Sequence, residues 1–223
     1  MYTVVDVTPD TPEWEEERRH SIGASEVGAA IGESHFGNTP FGLYLDKIGK
    51  GKRFDPLTSI IGHGAEPIIV ELLQHLHPHL GEIEPGFMAR SVEYPWLHAS
   101  FDRILVEPSG IRVPLQLKSA SAFTRQDWVE GPIADYVAQE DAECLIYGSP
   151  YAILAVWFIG SHELQVYKLM ARADRQAVIV DRTRTLWYDH IVPRVVPAYT
   201  VGDDLEAIYP GVIGSVKRAD PEA

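Results

Sequence analysis

The sequence predicts a single layered α/β domain, and three observations carry that reading. Apolar residues recur at helical spacing over Ile60 to His77, and Asp135 to Tyr147 and about 172–190 also read as helices. Between the first two, apolar strand-like segments lie at roughly 87–94, 97–106 and 111–119. Two further apolar stretches, 151–160 and 163–170, flank the Gly160-Ser161 turn as a hairpin. Helix, antiparallel strands, helix, hairpin and helix in that order make a layered α/β protein. At 223 residues the chain is long enough for one sizeable core and short for two. The expected organisation is one domain over 1–223, with a core at about 13–190 and a tail at 193–223.

Taken in order, Thr11 to Arg19 opens with Thr-Pro and a Glu-rich turn, which suits a helix start. Ser25 begins a short helix that Gly32 ends, and Thr39-Pro40 begins another with Phe41, Leu43, Tyr44 and Ile48 on its apolar face. Residues 49–58 are rich in Gly, Lys and Pro and read as an exposed loop. The next helix carries Ile68, Ile69, Leu72, Leu73 and Leu76 on one side, and Glu66 falls in its first turn just before Pro67. Glu107-Pro108-Ser109-Gly110 is a hairpin turn. Pairing Glu107 with Ile111 places Asp102 opposite Gln116 and Ser100 opposite Lys118, so that these four polar side chains share one sheet face. Pro114 removes a ladder donor within the second strand, so a bulge or an unpaired N–H is expected there. In the helix from Asp135, the residues Tyr136, Gln139 and Glu143 share a side. The tail from Pro193 carries Pro and Gly and is expected to pack on the surface.

Composition narrows the class. Hydrophobic residues at 45% and charged ones at 23% are ordinary for a globular protein. No apolar run approaches the ~20 residues that span a bilayer, and the acidic N-terminus lacks signal-peptide order. The single cysteine, Cys144, makes no internal disulfide and reads as a buried thiol in a reducing cytoplasm. A net charge of −13 argues against nonspecific coating of nucleic acid, though not against a local basic channel. Arg18 and Arg19, and the cluster Lys47, Lys50, Lys52 and Arg53, are the basic groupings, each also explicable as a solvated face. Nine histidines include His75, His77 and His79, which the intervening Pro78 assigns to a surface loop rather than a metal centre.

A carboxylate, an amide oxygen and an ammonium on one sheet face suit metal-assisted phosphodiester hydrolysis. That reaction needs an activated water and neutralised phosphoryl charge, which carboxylate-held Mg²⁺ and a nearby lysine supply. Mg²⁺ keeps several waters, so two or three protein oxygens suffice. Asp102 is the leading ligand, with Glu66, the side-chain oxygen of Gln116 and the carbonyl of Leu117 as further donors. Lys118 would orient or deprotonate the water, or hold the scissile phosphate. The plain alternative is that Asp102, Gln116 and Lys118 form the solvated side of a hairpin.

Six motifs then fall in order: Trp14 to Arg18, Ile22-Gly-Ala-Ser-Glu-Val27, Gly62-His-Gly-Ala-Glu-Pro67, Ser100-Phe-Asp-Arg103, Gln116-Leu-Lys118 and Tyr136-Val-Ala-Gln139. Together the six motifs resemble the YqaJ-type viral recombinases, relatives of phage lambda exonuclease within the PD-(D/E)XK nuclease superfamily, over about residues 13–170. The resemblance implies a restriction-endonuclease-like core, a central mixed sheet flanked by helices. It implies that Glu66 and Asp102 bind Mg²⁺ or Mn²⁺, that Lys118 is the catalytic lysine, and that Arg18, Ser25, Ser100 and Gln139 grip a DNA 5′-phosphate beside Trp14. An Arg fork with neutral Ser and Gln donors suits a phosphate. Singly, Ser25 reads as a helix cap, Trp14 as core and Gln139 as helix surface.

Gln116 departs from the family pattern, which has Glu there. An amide oxygen coordinates a hard cation without offsetting its charge, so weaker Mg²⁺ binding is expected. The leading expectation is a 5′-to-3′ exonuclease acting on double-stranded DNA ends to supply single strands for phage recombination. The alternatives are a structure-specific endonuclease for flaps or junctions, and a DNA-end-binding protein with weakened catalysis. The resemblance also implies a single-strand annealing protein as partner, a ring-shaped homotrimer, and a phage-encoded protein in the cytoplasm of a bacterial host, with no membrane association.

Overall fold

The computed structural model describes residues 1–9, 11–51, 56–199, 203 and 207–208. The basic residues Lys52 and Arg53 and most of the tail lie outside the described residues. Nine strands are described: β1 (Tyr2–Val5), β2 (Ile22–Gly23), β3 (Glu82–Pro85), β4 (Met88–Ser91), β5 (Leu97–Ser100), β6 (Arg103–Val106), β7 (Arg112–Ser121), β8 (Tyr151–Ile159) and β9 (Glu163–Met170). The helices are α1 (Pro12–Arg19), α2 (Val27–Ala30), α3 (Pro40–Lys47), α4 (Pro56–Leu76), α5 (Ala134–Tyr147) and α6 (Ala173–Thr185), the last continuing as a π-turn over Leu186–Ile191.

The strands form two sheets, a four-stranded one in the order β1-β4-β5-β2 and a five-stranded one in the order β3-β6-β7-β8-β9. Both are mixed: β2 runs parallel to β5 and β7 parallel to β8, while the other neighbours are antiparallel. Side-chain alternation along β7 serves two cores. Leu115 and Leu117 pack with Ala65, Ile69 and Leu73 of α4. The opposite face meets α5, whose Ala138, Ala142 and Ile146 bury with Ile104, Leu97 and Phe101. Gln116 and Lys118 therefore point to the α5 side.

The hairpin register holds. Glu107 N–H donates to the Ile111 carbonyl at 2.9 Å, and Arg103 pairs with Leu115. Pro114 needs neither a bulge nor an orphaned donor. Hydrogen-bonded pairs alternate along an antiparallel ladder, so counting from Glu107–Ile111 puts Ile104–Pro114 at a non-bonded rung. The nitrogen of Pro114 thus faces away from β6, and pairing with β8 starts only at Leu115.

Three expectations need correction. The segment 97–106 is two strands in different sheets, interrupted at Phe101 and Asp102, and its partner segment is interrupted at Gly86 and Phe87. Register is nonetheless continuous across the break, with Met88 opposite Ser100 and Pro85 opposite Arg103. Ser100 consequently belongs to the four-stranded sheet and does not lie across a ladder from Lys118. Secondly, α4 starts at Pro56, inside the expected 49–58 loop, so Glu66 sits in mid-helix and Pro67 is internal. Pro67 removes the helical bond to the His63 carbonyl, and the burial of Ala65, Ile69 and Leu73 outweighs that loss. Thirdly, β1, β2 and β3 are additional strands.

Gly86 makes the break possible. A Cβ built there would lie 1.8 Å from the Phe101 carbonyl oxygen and 2.5 Å from that of Asp102, both of them backbone. Gly86→Ala is expected to destabilise the fold by about 1–3 kcal/mol through forced backbone displacement, read as a lowered denaturation midpoint. A midpoint equal to that of the wild type would refute this close approach.

Candidate active site

Asp102 stands where the chain leaves one sheet for the other. Its Oδ2 accepts two hydrogen bonds, from Gln116 Nε2 at 2.6 Å and from the Leu117 N–H at 2.9 Å. Gln116 is 2% exposed, and its Oε1 is buried without a hydrogen-bond partner. Two residues on, the Lys118 ammonium lies 5.3 Å from the centroid of the Tyr136 ring on α5. Glu66 approaches from the α4 side, where its carboxylate meets Arg103 at 3.5 Å. Arg103 also donates to the Asp102 carbonyl, so one guanidinium ties the two acidic residues together.

Electrostatics mark this corner as a place for positive charge. Burial raises the Asp102 carboxyl above its usual range, against the lowering effects of Lys118 and the Leu117 N–H. Burial and the neighbouring Asp102 likewise raise Glu66. Among the described residues no three His, Cys, Asp or Glu side chains form a metal-holding group. What is present is an oxygen set: the Asp102 carboxylate, the unpartnered Gln116 Oε1, the Leu117 carbonyl and Glu66. That set fits a hard divalent cation, with an amide in place of one carboxylate. His77 and His79 pack their rings against each other instead, at 5.9 Å.

The four residues expected at a 5′-phosphate sit on elements that pack together. Ser25 lies in the 3₁₀ turn Ala24–Glu26, which packs against α5, the helix of Gln139, and against β5, which ends at Ser100. The Ser100 hydroxyl is buried without a partner. Arg18 lies on α1, its guanidinium 4.5 Å from the Trp14 ring centroid and 3.8 Å from Glu26 Oε1. The simpler readings of these residues fail. Ser25 is exposed and caps nothing, because the turn starts at Gly23, whose N–H donates to Glu26 Oε2 at 2.6 Å. Trp14 is half-buried outside the cores, and Gln139 is buried.

Beneath Arg18 lies a buried polar layer. Lys47 Nζ sits 2.6 Å from Glu26 Oε2 and donates to the Arg18 carbonyl at 2.7 Å. Burial would raise the Glu26 carboxyl, but Lys47 and Arg18 outweigh it and hold it low. His98, 1% exposed, shares a 2.8 Å hydrogen bond between its Nδ1 and Ser21 Oγ, and burial pushes its ring down to about 3.

Sequence reasoning gave no role to two acids on α5, although it placed the second of them, Glu143, on the side of Tyr136 and Gln139. Glu140 and Glu143 are 1% and 0% exposed, and burial raises both carboxyls. Glu143 Oε1 accepts from Gln139 Nε2 at 2.7 Å, while its Oε2 has no partner. The available signal was their helical phase: Glu140 and Glu143, four and seven residues after Tyr136, lie on the side that Tyr136 shares with Gln139.

Residues 13–144 match the YqaJ-like viral recombinase domain. None of the curated proteins matches the chain. Among solved structures, it is similar to an alkaline exonuclease from Laribacter hongkongensis, with TM-score 0.67 and 12% identity over 83% of this chain and 94% of that one. The same enzyme in complex with dAMP gives TM-score 0.68 at 12% identity, with the same shares of each chain. A phage-related exonuclease from Haemophilus somnus 129PT gives TM-score 0.57 at 10% identity, over 81% of this chain and 98% of that one. The shared fold is the α/β core of the PD-(D/E)XK type.

Proposed function

The chain belongs to the YqaJ-like viral recombinase family, and on that premise we propose that it is a Mg²⁺- or Mn²⁺-dependent exonuclease that degrades one strand of duplex DNA from a 5′-phosphorylated end. The observation that carries the reading is the junction of Asp102, Gln116 and Leu117 at the sheet break, with Lys118 beside it. The similar folds of the alkaline and phage-related exonucleases support it. A divalent cation bound there would neutralise phosphoryl charge and activate a water. Asp102 would hold the site's charge, Gln116 and the Leu117 carbonyl would orient it, and Lys118 would hold the attacking water or the scissile phosphate. Arg18, Ser25, Ser100 and Gln139 would seat the terminal phosphate and so set which bond is cut. A single-strand annealing protein would take up the product, and a ring of three copies would keep an acidic protein on its DNA.

The test is end-labelled linear duplex with Mg²⁺ or Mn²⁺. Mononucleotides are expected, released faster from 5′-phosphate than from 5′-hydroxyl ends by about tenfold or more, since a hydrogen bond to a charged group contributes roughly 1.5–3 kcal/mol. Equal cutting of covalently closed circles refutes end dependence and favours a structure-specific endonuclease. Gln116 supports one further reading, a DNA-end-binding protein whose catalysis left with the glutamate. Strong activity confined to Gln116→Glu would establish that reading instead.

A further inference from the structure

The amide at position 116 leaves the cation site one carboxylate short of the family pattern, and α5 holds an unexplained carboxylate on the side that Gln116 faces. Glu143 is fully buried, with Oε1 fixed by Gln139 and Oε2 without a partner. Asp141, on the same helix, shows what a satisfied buried acid looks like: the Arg172 guanidinium reaches it at 2.6 Å and the Arg172 N–H at 3.1 Å. A buried polar atom without a partner costs roughly 1–3 kcal/mol, and more when charged. Such an atom in a native fold calls for an ion or other ligand that satisfies it. Gln116 Oε1 is a second orphan of this kind, on a side chain that itself bonds Asp102.

From these paired orphans we infer that Glu143 is a ligand of the divalent-cation site, supplying from α5 the carboxylate that position 116 lacks. Asp102 and Glu143 then bring two negative charges, and Gln116 a neutral oxygen, to one hard cation. Gln139 has a second role in this arrangement: it holds Glu143 in place through the 2.7 Å bond. Glu140 provides an internal control. Its carboxylate is also unpartnered, but it lines a cavity of about 200 Å³ together with Lys168 and Arg172, and no hydrogen bond fixes it as Gln139 fixes Glu143.

The inference rests on the nuclease reading for the existence of a cation site, and a binding measurement without DNA separates the two. Mn²⁺ is titrated into wild type, E143Q, E140Q and the double variant Q116E/E143Q, with free ion followed by electron paramagnetic resonance. E143Q is expected to lose about tenfold or more in affinity, E140Q to bind as wild type does, and Q116E/E143Q to recover most of the loss. No Mn²⁺ binding by wild type, wild-type affinity in E143Q, or an equal loss in E140Q overturns the inference. If E143Q does not fold, wild-type protein loaded with Fe²⁺ and treated with ascorbate and peroxide decides. Backbone cleavage is expected near 143 as well as near 102 and 116–118, and its absence near 143 overturns the inference. Mn²⁺ binding of the expected pattern without DNA degradation would instead sink the nuclease reading and leave this one standing.

Discussion

Asp102→Asn is expected to lower the rate of DNA degradation by about a thousandfold or more while leaving the protein folded. The size follows from what the carboxylate does. A bound cation contributes several kcal/mol of charge stabilisation to phosphoryl transfer, and each 1.36 kcal/mol is about tenfold in rate. Asp102 is the carboxylate that both Gln116 and the Leu117 N–H address. Retention of the fold follows from the raised carboxyl. Burial already disfavours the charged form, so a neutral side chain of the same shape removes a buried charge rather than a stabilising one. Lys118→Ala is expected to act in the same direction. Single-turnover cleavage of end-labelled duplex, run beside a thermal melt, checks both halves. A wild-type rate in Asp102→Asn would remove this corner as the active site.

The hairpin was legible because its information is local. The Glu107 to Gly110 turn sets the register, and a side-chain period of two then aligns Asp102 with Gln116. The α5 helix and its Tyr136, Gln139, Glu143 side were legible for the same reason. The break at Asp102 was not. The alternation of Leu97, Ala99 and Phe101 does lapse at Asp102-Arg103, but that cue fits one bulged strand as well as two, and the change of sheet depends on Gly86, whose close approach to Phe101 and Asp102 is a tertiary contact. Glu66 was placed a helical turn or more too early because Pro67 is a strong local start signal. Packing of Ala65 and Ile69 on the sheet overrode it. Glu140 and Glu143 were passed over for a related reason. Glutamates on a helix are ordinarily solvated, and only the tertiary packing of the sheets, α2 and the 3₁₀ turn Ala24–Glu26 on α5 leaves these buried.

Acid is expected to weaken the His98 contribution to the stability of the fold. The unfolded ring takes a proton near pH 6.5, whereas the folded ring resists until about 3. Between those values the unfolded state binds the extra proton, so stability rises with pH and falls as pH drops below 6.5. The slope approaches 1.36 kcal/mol per pH unit, or about 2 kcal/mol lost by pH 5. The surroundings account for the resistance. Burial dominates, and Lys47, Arg18 and Arg90 oppose a second cation, with only Glu26 favouring one. The raised carboxyls of Glu66, Asp102, Glu140 and Glu143 act in the opposite sense. They hold extra protons in the folded state above the ordinary carboxylate range, so their contribution declines as pH rises. Comparing wild type with His98→Asn cancels that background, because the carboxyls are common to both. Urea denaturation at pH 7.5, 6 and 5 should show wild type losing about 2 kcal/mol relative to the variant between the first and last. Parallel curves would mean that His98 takes up its proton within the fold, with Glu26 as the acid that admits it.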